Sequence, residues 1–285
     1  MEIKGTTKIT GVFGYPVSHS LSPIFQNSAF EHLGLDYVYI PLEVKPEDLK
    51  TAINSIKIFN WVGVNVTIPH KRQVIKYLDE IDGVSEILDV VNTIHNIKGK
   101  LKGYTTDGDG FIRSLKQDGN FNPKGKNIFI LGAGGSSYAI CGALINEKVN
   151  SIFITNRTLE NAIKLKKHLT EKLKFKNIEI IEFERRNDKK IWQNIDILIN
   201  TTSVGMKEND PLLIEKINIE KVKFVYDIVY NRKTELLKSA EELKIPNLDG
   251  ISMLVYQGAI SFEIWTGKKA PVDIMKRAIY EKIKK

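Results

Sequence analysis

Residues 127–140, with the sequence NIFILGAGGSSYAI, give the clearest indication of the fold class. An apolar run typical of a buried strand leads into Gly132, Gly134 and Gly135, and a helical pattern follows. Glycines at such a turn let the backbone turn tightly and approach a pyrophosphate, which then lies at the amino terminus of the helix. Ser137 stands at the third glycine position of the GxGxxG pattern, where a small residue still permits close packing of the helix. The stretch therefore predicts a dinucleotide-binding unit.

The next predicted strand, SIFIT at residues 151–155, is followed by Asn156, Arg157 and Thr158. A site for NAD normally carries Asp or Glu here, which binds the ribose hydroxyls. A guanidinium instead suits the additional phosphate of NADP, which a carboxylate would repel. These three residues favour NADP over NAD.

Strand and helix patterns alternate on both sides of this turn through almost the whole chain. This alternation indicates an α/β protein made of two α/β domains, with parallel sheets and a boundary near Asp107. Residues 71–81, KRQVIKYLDEI, are predicted to be helical, and residues 90–107 are predicted to contain a hairpin.

Composition excludes several classes of protein. The chain has 285 residues, of which 42% are hydrophobic and 27% charged, so a wholly disordered or fibrous chain is excluded. No stretch approaches the roughly 20 apolar residues of a membrane span, and the first ten residues have no signal-peptide core. We therefore expect a cytoplasmic protein with no membrane partner. Cys141 is the single cysteine and is expected to be a buried apolar residue.

The formal net charge of +8 raises the question of a nucleic-acid partner. Only seven of the 42 basic residues are arginine, and the lysines are interleaved with glutamate in helical patterns. This is typical of a solvated surface and not of a base-reading face, so no nucleic-acid partner is expected. The positive field is instead suited to attracting small anions. The five histidines show no ligand spacing, so no metal site is expected.

Four polar clusters follow predicted strands in the first half of the chain: SHSLSP (18–23), NVTIPHK (65–71), VVNT (90–93) and TTDGDG (105–110). Ligands of open α/β sheets lie at the carboxyl ends of strands, so a polar substrate is expected there. Each cluster also has a structural interpretation. Ser20, Ser22, Thr67 and Asp107 could cap helices, and Asn92 could serve a hairpin turn.

Taken together, these segments resemble the shikimate dehydrogenase family nearly from end to end. The matching motifs are GYPVSHSLSP, GVNVTIPHK, VVNT, GYTTDGDGF, LGAGGSSYA, TNRT, NTTSVGM, YDIVYN and DGISMLVYQGAISFEIWTG. The resemblance implies a substrate-binding domain of residues 1–106 and 251–285, closed by the carboxyl-terminal helices, and a Rossmann-like NADP-binding domain of residues 107–250. It also implies reversible, NADPH-dependent reduction of 3-dehydroshikimate to shikimate by a monomer or homodimer.

The resemblance also assigns residues. Ser20, Ser22 and Thr67 would bind the substrate carboxylate through neutral hydroxyls. The other substrate-binding positions would be Asn65, Lys71, Asn92, Asp107, Tyr230 and Gln257. The cofactor positions would be Gly132, Ala133, Gly134, Gly135, Ser136, Asn156, Arg157, Thr158, Thr202, Ile228 and Gly250.

Lys71 and Asp107 would form the acid–base pair that protonates the carbonyl oxygen as hydride arrives. The sequence leaves open whether Lys71 alone or the pair is the donor. His70 is expected to be structural.

The sequence departs from the family pattern at Asn161, where relatives with strong NADP preference often carry a second basic residue. Arg157 would then bind most of the phosphate, and Lys164 or Lys166 could assist it. A quinate/shikimate dehydrogenase using NAD is the nearest alternative. A folate-linked dehydrogenase would not need the SHSLSP motif, and a non-catalytic sensor would not need both Lys71 and Asp107.

Overall fold

The structure is a computed structural model that describes residues 2–283. The helices and strands of its first part are β1 (Lys8–Gly14), α1 (Ser22–His32), β2 (Tyr37–Glu43), α2 (Leu49–Ile58), β3 (Gly63–Val66), β4 (Glu80–Ile81), α3 (Gly83–Leu88), β5 (Thr93–Ile97), β6 (Lys100–Tyr104) and α4 (Asp107–Gln117).

The second part continues with β7 (Asn127–Leu131), α5 (Gly135–Asn146), β8 (Ser151–Thr155), α6 (Leu159–Leu173), β9 (Ile178–Ile181), β10 (Ile197–Asn200), β11 (Phe224–Asp227), α7 (Glu235–Glu242), β12 (Asn247–Leu248), α8 (Gly250–Thr266) and α9 (Val272–Ile283). Among the described residues, no helix is both long enough and apolar enough to cross a membrane.

The chain divides into two compact units. The first contains the chain up to Gly110 together with the chain from Leu254 onward, and the second is Phe111–Met253. Both crossings from one unit to the other lie within helices, α4 and α8. The mixed α/β composition and the Rossmann-like organisation predicted from the sequence are confirmed.

Within the described residues, the first unit has a six-stranded sheet in the order β2-β1-β3-β5-β6-β4. β1 is parallel to both β2 and β3, whereas β5 is antiparallel to β3 and β6. The parallel pairing predicted from the alternation of strands and helices is therefore wrong for β5, whereas the hairpin predicted within residues 90–107 is confirmed as β5 and β6. The cause is the two-residue turn at Lys98 and Gly99, whose positive φ angles of 54° and 88° join β5 to β6 as a hairpin.

The predicted helix over residues 71–81 is also wrong. The segment forms a short 3₁₀ turn, Gln73–Tyr77, and then the strand β4. Asp79 explains the difference, because its amide donates to the carbonyl oxygen of Leu101 (3.0 Å) and its Oδ2 accepts from the amide of Leu101 (2.7 Å). These bonds draw the following residues into pairing with β6, and the sheet overrides the local helical pattern.

The second unit has a six-stranded sheet that is parallel throughout, in the order β12-β11-β10-β7-β8-β9 within the described residues. The chain starts at β7, adds strands on one side and then on the other, so the order reverses between β7 and β10. Ligands of open α/β sheets bind at such a switch point.

Alternating side chains of β7 build separate cores on the two faces of this sheet. Ile128 and Ile130 pack in one buried cluster and Phe129 and Leu131 in the other. Cys141, on α5, is fully buried in the first of these clusters, as predicted, and burial raises the pKa of its thiol to about 12.

Candidate active site

Lys71 and Asp107 form a largely buried ion pair in the first unit. Lys71 Nζ lies 2.5 Å from Asp107 Oδ2, and the side chains are 14% and 6% exposed. The carbonyl oxygen of Lys71 accepts from the amide of Val91 (2.8 Å), which fixes the backbone after β3. Asp107 is the first residue of α4. The structure therefore brings together two residues that are 36 positions apart in the sequence.

Asn92 orients the Asp107 carboxylate. Its Nδ2 donates to Asp107 Oδ1 (2.8 Å) and to Thr106 Oγ1 (2.9 Å), and it lies 3.3 Å from Gln257 Oε1. Its Oδ1 accepts from the amide of Thr106 (2.7 Å). Asn92 therefore does more than serve a hairpin turn, because it links β5, the start of α4 and α8.

Asn65 lies beneath Asn92 in a buried polar layer. Its Nδ2 lies 3.0 Å from each of three oxygens: the carbonyl of Asn92, Thr93 Oγ1 and Ser261 Oγ. The hydroxyl of Tyr39 donates to Asn65 Oδ1 (2.8 Å). Burial raises the pKa of Tyr39, against a hydrogen bond with Ser22 that lowers it, so the phenol remains a protonated donor.

Sequence reasoning missed Tyr39, Thr93 and Ser261. Ser261 lies four residues after Gln257 on α8, a spacing that puts both on one helix face and that the sequence shows. Tyr39 is one of several apolar and aromatic residues of β2, and no pattern in the sequence distinguishes it.

The capping interpretation is wrong for Ser22, which is the first residue of α1, whereas Leu21 occupies the N-cap position and makes no side-chain bond there. Ser20 Oγ accepts from the amide of Ser22 (3.3 Å), so Ser20 does bond to the first amide of the helix. Ser22 is largely buried.

Thr67 follows β3, and its carbonyl oxygen accepts from the amide of His70 (2.8 Å). Its side chain does not cap the next turn, where Arg72 holds the N-cap position without a side-chain bond. His70 is fully buried, with its Nε2 2.7 Å from the carbonyl oxygen of Val44. This contact agrees with a structural role for the histidine.

The glycine turn of the second unit follows β7. Gly132 has φ of 108°, and a Cβ there would lie 2.6 Å from Thr201 Oγ1, so only glycine fits. Ser137 Oγ accepts from the amide of Gly134 (3.1 Å) and lies 2.7 Å from Thr201 Oγ1. A Cβ on Gly134 would meet no atom within 4 Å, so the turn is open on that side.

This turn fits the pyrophosphate of a dinucleotide. Ala133, Gly134, Gly135 and Ser136 lie where β7 ends and α5 begins, and the first amides of a helix have no partner within the helix. Asn156 Nδ2 donates to the carbonyl oxygen of Thr158 (2.8 Å), which shapes the turn after β8. Arg157 is exposed at that turn.

The other predicted cofactor positions follow β10 and β11. Thr202 Oγ1 donates to Asn200 Oδ1 (2.7 Å), and the amide of Ile228 donates to the carbonyl oxygen of Asn200 (3.0 Å). A Cβ on Gly250 would lie 2.0 Å from the carbonyl oxygen of Ile228. These positions therefore share the carboxyl edge of the sheet with the glycine turn. Tyr230, predicted to bind substrate, is also in this unit, whereas the other predicted substrate residues lie in the first.

The fold and the site together define the class of two-unit dinucleotide-dependent oxidoreductases. The second unit has a doubly wound sheet with a glycine turn and a following arginine, and the first has a buried Lys–Asp pair. Family models for the shikimate dehydrogenase substrate-binding domain, for shikimate/quinate 5-dehydrogenase and for the shikimate 5'-dehydrogenase C-terminal domain match residues 12–94, 115–251 and 250–280. The chain belongs to the shikimate dehydrogenase family.

Individual relatives agree with this assignment. Shikimate dehydrogenase (NADP(+)) of Methanopyrus kandleri is 40% identical, over 100% of this chain and 99% of that protein. A crystal structure of shikimate dehydrogenase in complex with NADP+ has a TM-score of 0.93 and 40% identity, covering 100% of this chain and 98% of the other. Shikimate 5-dehydrogenase of Listeria monocytogenes, in complex with shikimate and NAD, has a TM-score of 0.89 and 37% identity, with 98% of both chains covered.

Proposed function

We propose that the protein is an NADP-dependent shikimate dehydrogenase that reversibly reduces 3-dehydroshikimate to shikimate, a step of aromatic amino-acid biosynthesis. The observation that carries the proposal is the buried pair of Lys71 and Asp107, held by Asn92 in a chain of this family. A buried ammonium with a fixed carboxylate is what protonation of a carbonyl oxygen requires.

The second unit, Phe111–Met253, would bind NADP as the domain predicted from the sequence at residues 107–250. Gly132 to Ser136 would contact the pyrophosphate, and Arg157 would bind the additional phosphate. Asn156 and Thr158 would shape the ribose site, and Thr202, Ile228 and Gly250 would be further contacts of the cofactor. When bound, NADPH supplies the hydride that reduces the carbonyl carbon.

The first unit, which extends to Gly110 and resumes at Leu254, would bind the substrate as the domain predicted from the sequence at residues 1–106 and 251–285. The hydroxyls of Ser20, Ser22 and Thr67 would donate to its carboxylate, which requires no buried countercharge. Asn92, Asp107 and Gln257 would bind the ring hydroxyls. Asn65 would hold Asn92 in place through the hydrogen bond from its Nδ2 to the carbonyl oxygen of Asn92. Tyr230, in the second unit, would be a further substrate contact.

Lys71 would donate its proton to the carbonyl oxygen as the hydride bonds to the carbon, so that one C–H and one O–H bond form. Asp107, 2.5 Å from Lys71 Nζ, orients the ammonium. Asn92 holds the other carboxylate oxygen and keeps Asp107 in this orientation. In the oxidation of shikimate, neutral Lys71 would accept the hydroxyl proton. The predicted cytoplasmic location and the monomeric or homodimeric state stay predictions.

The test is a spectrophotometric assay of shikimate oxidation by the purified protein, run with NADP and with NAD, and repeated with quinate. We expect reduction of NADP to be faster than reduction of NAD, because Arg157 suits a phosphate and the three residues directly after β8, positions 156–158, include no carboxylate. Failure to oxidise shikimate with either cofactor would contradict the proposal. Faster turnover with NAD and quinate would favour a quinate/shikimate dehydrogenase instead.

A further inference from the structure

Asp227, the last residue of β11, is a fully buried carboxylate with only neutral hydrogen-bond donors. Its Oδ1 accepts from Asn200 Nδ2 (2.9 Å) and from the amide of Val229 (3.0 Å), and its Oδ2 accepts from Thr234 Oγ1 (2.7 Å). Among the described residues, no cationic side chain forms an ion pair with it. The proposed mechanism makes no use of this carboxylate.

Two of the three donors, Asn200 and Val229, are bonded to segments that are predicted to bind the cofactor. Asn200 Oδ1 accepts from the amide (3.0 Å) and the hydroxyl (2.7 Å) of Thr202. Val229 lies next to Ile228, and its carbonyl oxygen accepts from the amide of Gly250 (3.0 Å). One carboxylate therefore holds the segments of Thr202, Ile228 and Gly250 at a single edge of the sheet.

Thr234 ties the same carboxylate to a helix. Its Oγ1 accepts from the amide of Leu237 (3.3 Å) at the start of α7 while it donates to Asp227. Loss of the Asp227 charge would thus weaken hydrogen bonds at the start of α7 as well as in the two segments that follow β10 and β11.

Other charged groups lie around Asp227 without neutralising it. A small cavity next to it is also lined by Asp210, Arg232 and Glu235, and the Arg232 guanidinium donates to the carbonyl oxygen of Lys207 (2.8 Å). Burial, with a smaller contribution from the charge of Asp249, raises the pKa of Asp227 to about 6, although the three donors lower it. Asp227 therefore changes charge within the pH range of an ordinary binding experiment.

The ionised and protonated forms of this carboxylate hold their surroundings differently. The ionised form accepts hydrogen bonds from all three donors at once. The protonated form carries an O–H that needs an acceptor of its own. Asn200 Nδ2 and the amide of Val229 can only donate, and the Thr234 hydroxyl could accept only by giving up its own bond to the carboxyl. At least one of the three bonds must then break or lengthen, which loosens the segment attached to it.

We propose that Asp227 is a positioning residue for the dinucleotide: its ionised carboxylate holds the segments of Thr202, Ile228 and Gly250 in the arrangement that NADP binding requires. The proposal rests on the proposed role of the second unit as the NADP-binding unit. Asp227 acts through Asn200, Val229 and Thr234 and is not a catalytic residue.

The test compares the Kd of NADP for wild type and Asp227→Asn by isothermal titration calorimetry between about pH 5 and pH 8. The cofactor phosphate itself changes charge near pH 6, so the measured quantity is the ratio of the two Kd values, in which that effect cancels. We expect the variant to bind about 10-fold more weakly at pH 8, the loss of about one hydrogen bond. The ratio should fall to within about twofold near pH 5, where wild type is neutral at this position too.

Asp210→Asn is the matched control. Asp210 accepts from the amides of Gly205 (2.8 Å) and Lys207 (3.0 Å) in the segment that follows Thr202, and these bonds lower its pKa. It stays ionised across the range, so any effect of this variant should give a Kd ratio that does not change with pH. Thermal unfolding at each pH reports whether all variants are folded.

Thr234→Val provides a second test if Asp227→Asn does not fold. It removes one donor that favours the ionised carboxylate, so the pH below which NADP binding weakens should move upward relative to wild type. An unchanged midpoint, or an Asp227→Asn ratio that is the same at every pH, would overturn the proposal while leaving the proposed function intact. Wild type that fails to bind NADP at pH 8 would contradict both.

Discussion

Asp107 shows how few contacts are needed to fix a carboxylate for proton transfer. Lys71 bonds to one of its oxygens and Asn92 to the other, at 2.5 and 2.8 Å, and the side chain is 6% exposed. With both oxygens held, the carboxylate cannot rotate away from the ammonium. The position of the proton donor therefore depends on Asn92 as well as on the pair itself.

Replacement of Lys71 is the most direct test of the proposed chemistry. Lys71→Ala should lower turnover at least about 100-fold, because the group that donates the proton is lost. The KM for shikimate should change less, since the Ser20 and Ser22 hydroxyls remain. Steady-state kinetics of shikimate oxidation measure both quantities.

Lys76→Ala is the matched control for this variant. Lys76 is exposed on the 3₁₀ turn that follows Lys71. Its loss should leave turnover near that of wild type. Nearly normal turnover in Lys71→Ala would exclude the proposed role of Lys71.

At the scale of single residues, the sequence predicts which side chains belong to the candidate site better than it predicts which side chains contact each other. The VVNT and TTDGDG motifs led to Asn92 and Asp107 because polar clusters at strand ends lie where α/β sheets bind ligands, and the structure places these two residues in contact. The bond from Tyr39 to Asn65 spans 26 positions and exists only because β1 lies between β2 and β3. No local pattern records that strand order, so Tyr39 could not be predicted.

At the scale of elements, the β7–α5 turn uses its glycines for two different reasons. Gly132 needs a positive φ and has no room for a Cβ against Thr201. Gly134 has an ordinary extended backbone, with φ of −88°, and open space where a Cβ would lie. Folding therefore requires a glycine at position 132, whereas the space beside Gly134, the N-cap residue of α5, is open to a ligand.

Gly134→Ala should therefore weaken NADP binding without weakening the fold. The added methyl group would occupy the space that the pyrophosphate needs next to the start of α5. We expect the KM for NADP to rise at least about 10-fold, the loss of about one hydrogen bond or more. The free energy of unfolding should stay within about 0.5 kcal/mol of wild type, as for an ordinary surface substitution.

Gly83→Ala is the matched control, because Gly83 begins α3 and a Cβ there also meets no atom within 4 Å. Kinetics with varied NADP and chemical denaturation should show no change in this variant. A Gly134→Ala enzyme with an unaltered KM for NADP would place the pyrophosphate elsewhere.

At the scale of the whole molecule, the alternation of strands and helices was enough to predict two α/β units and the doubly wound sheet. The sequence also predicted the hairpin of β5 and β6, but it could not predict that β5 pairs with β3, or that β4 forms, which depends on Asp79 pairing with Leu101. The polar network joins residues from four elements and one loop: Tyr39 of β2, Asn65 of β3, Asn92 just before β5, Asp107 of α4 and Ser261 of α8. Its members become neighbours only after the sheet and α8 have assembled.

The net charge of +8 is also a property of the whole molecule, and it predicts how the two ligands respond to salt. NADP carries several phosphate charges and shikimate a single carboxylate, so a positive field should favour NADP more strongly. Raising NaCl from about 0.01 M to about 0.15 M shortens the Debye length from about 30 Å to about 8 Å. We expect kcat/KM for NADP to fall roughly 10-fold and that for shikimate less than about twofold.

Arg157→Ala separates this general field from one local contact. The variant should bind NADP more weakly at every salt concentration, because a charge-assisted bond to the phosphate is lost. Its salt dependence should nevertheless stay close to that of wild type, since about 40 other basic residues create the field. Equal salt dependence for NADP and shikimate would contradict the general field, because attraction to it must grow with the charge of the ligand. A salt dependence that disappears in Arg157→Ala would assign the whole effect to that guanidinium.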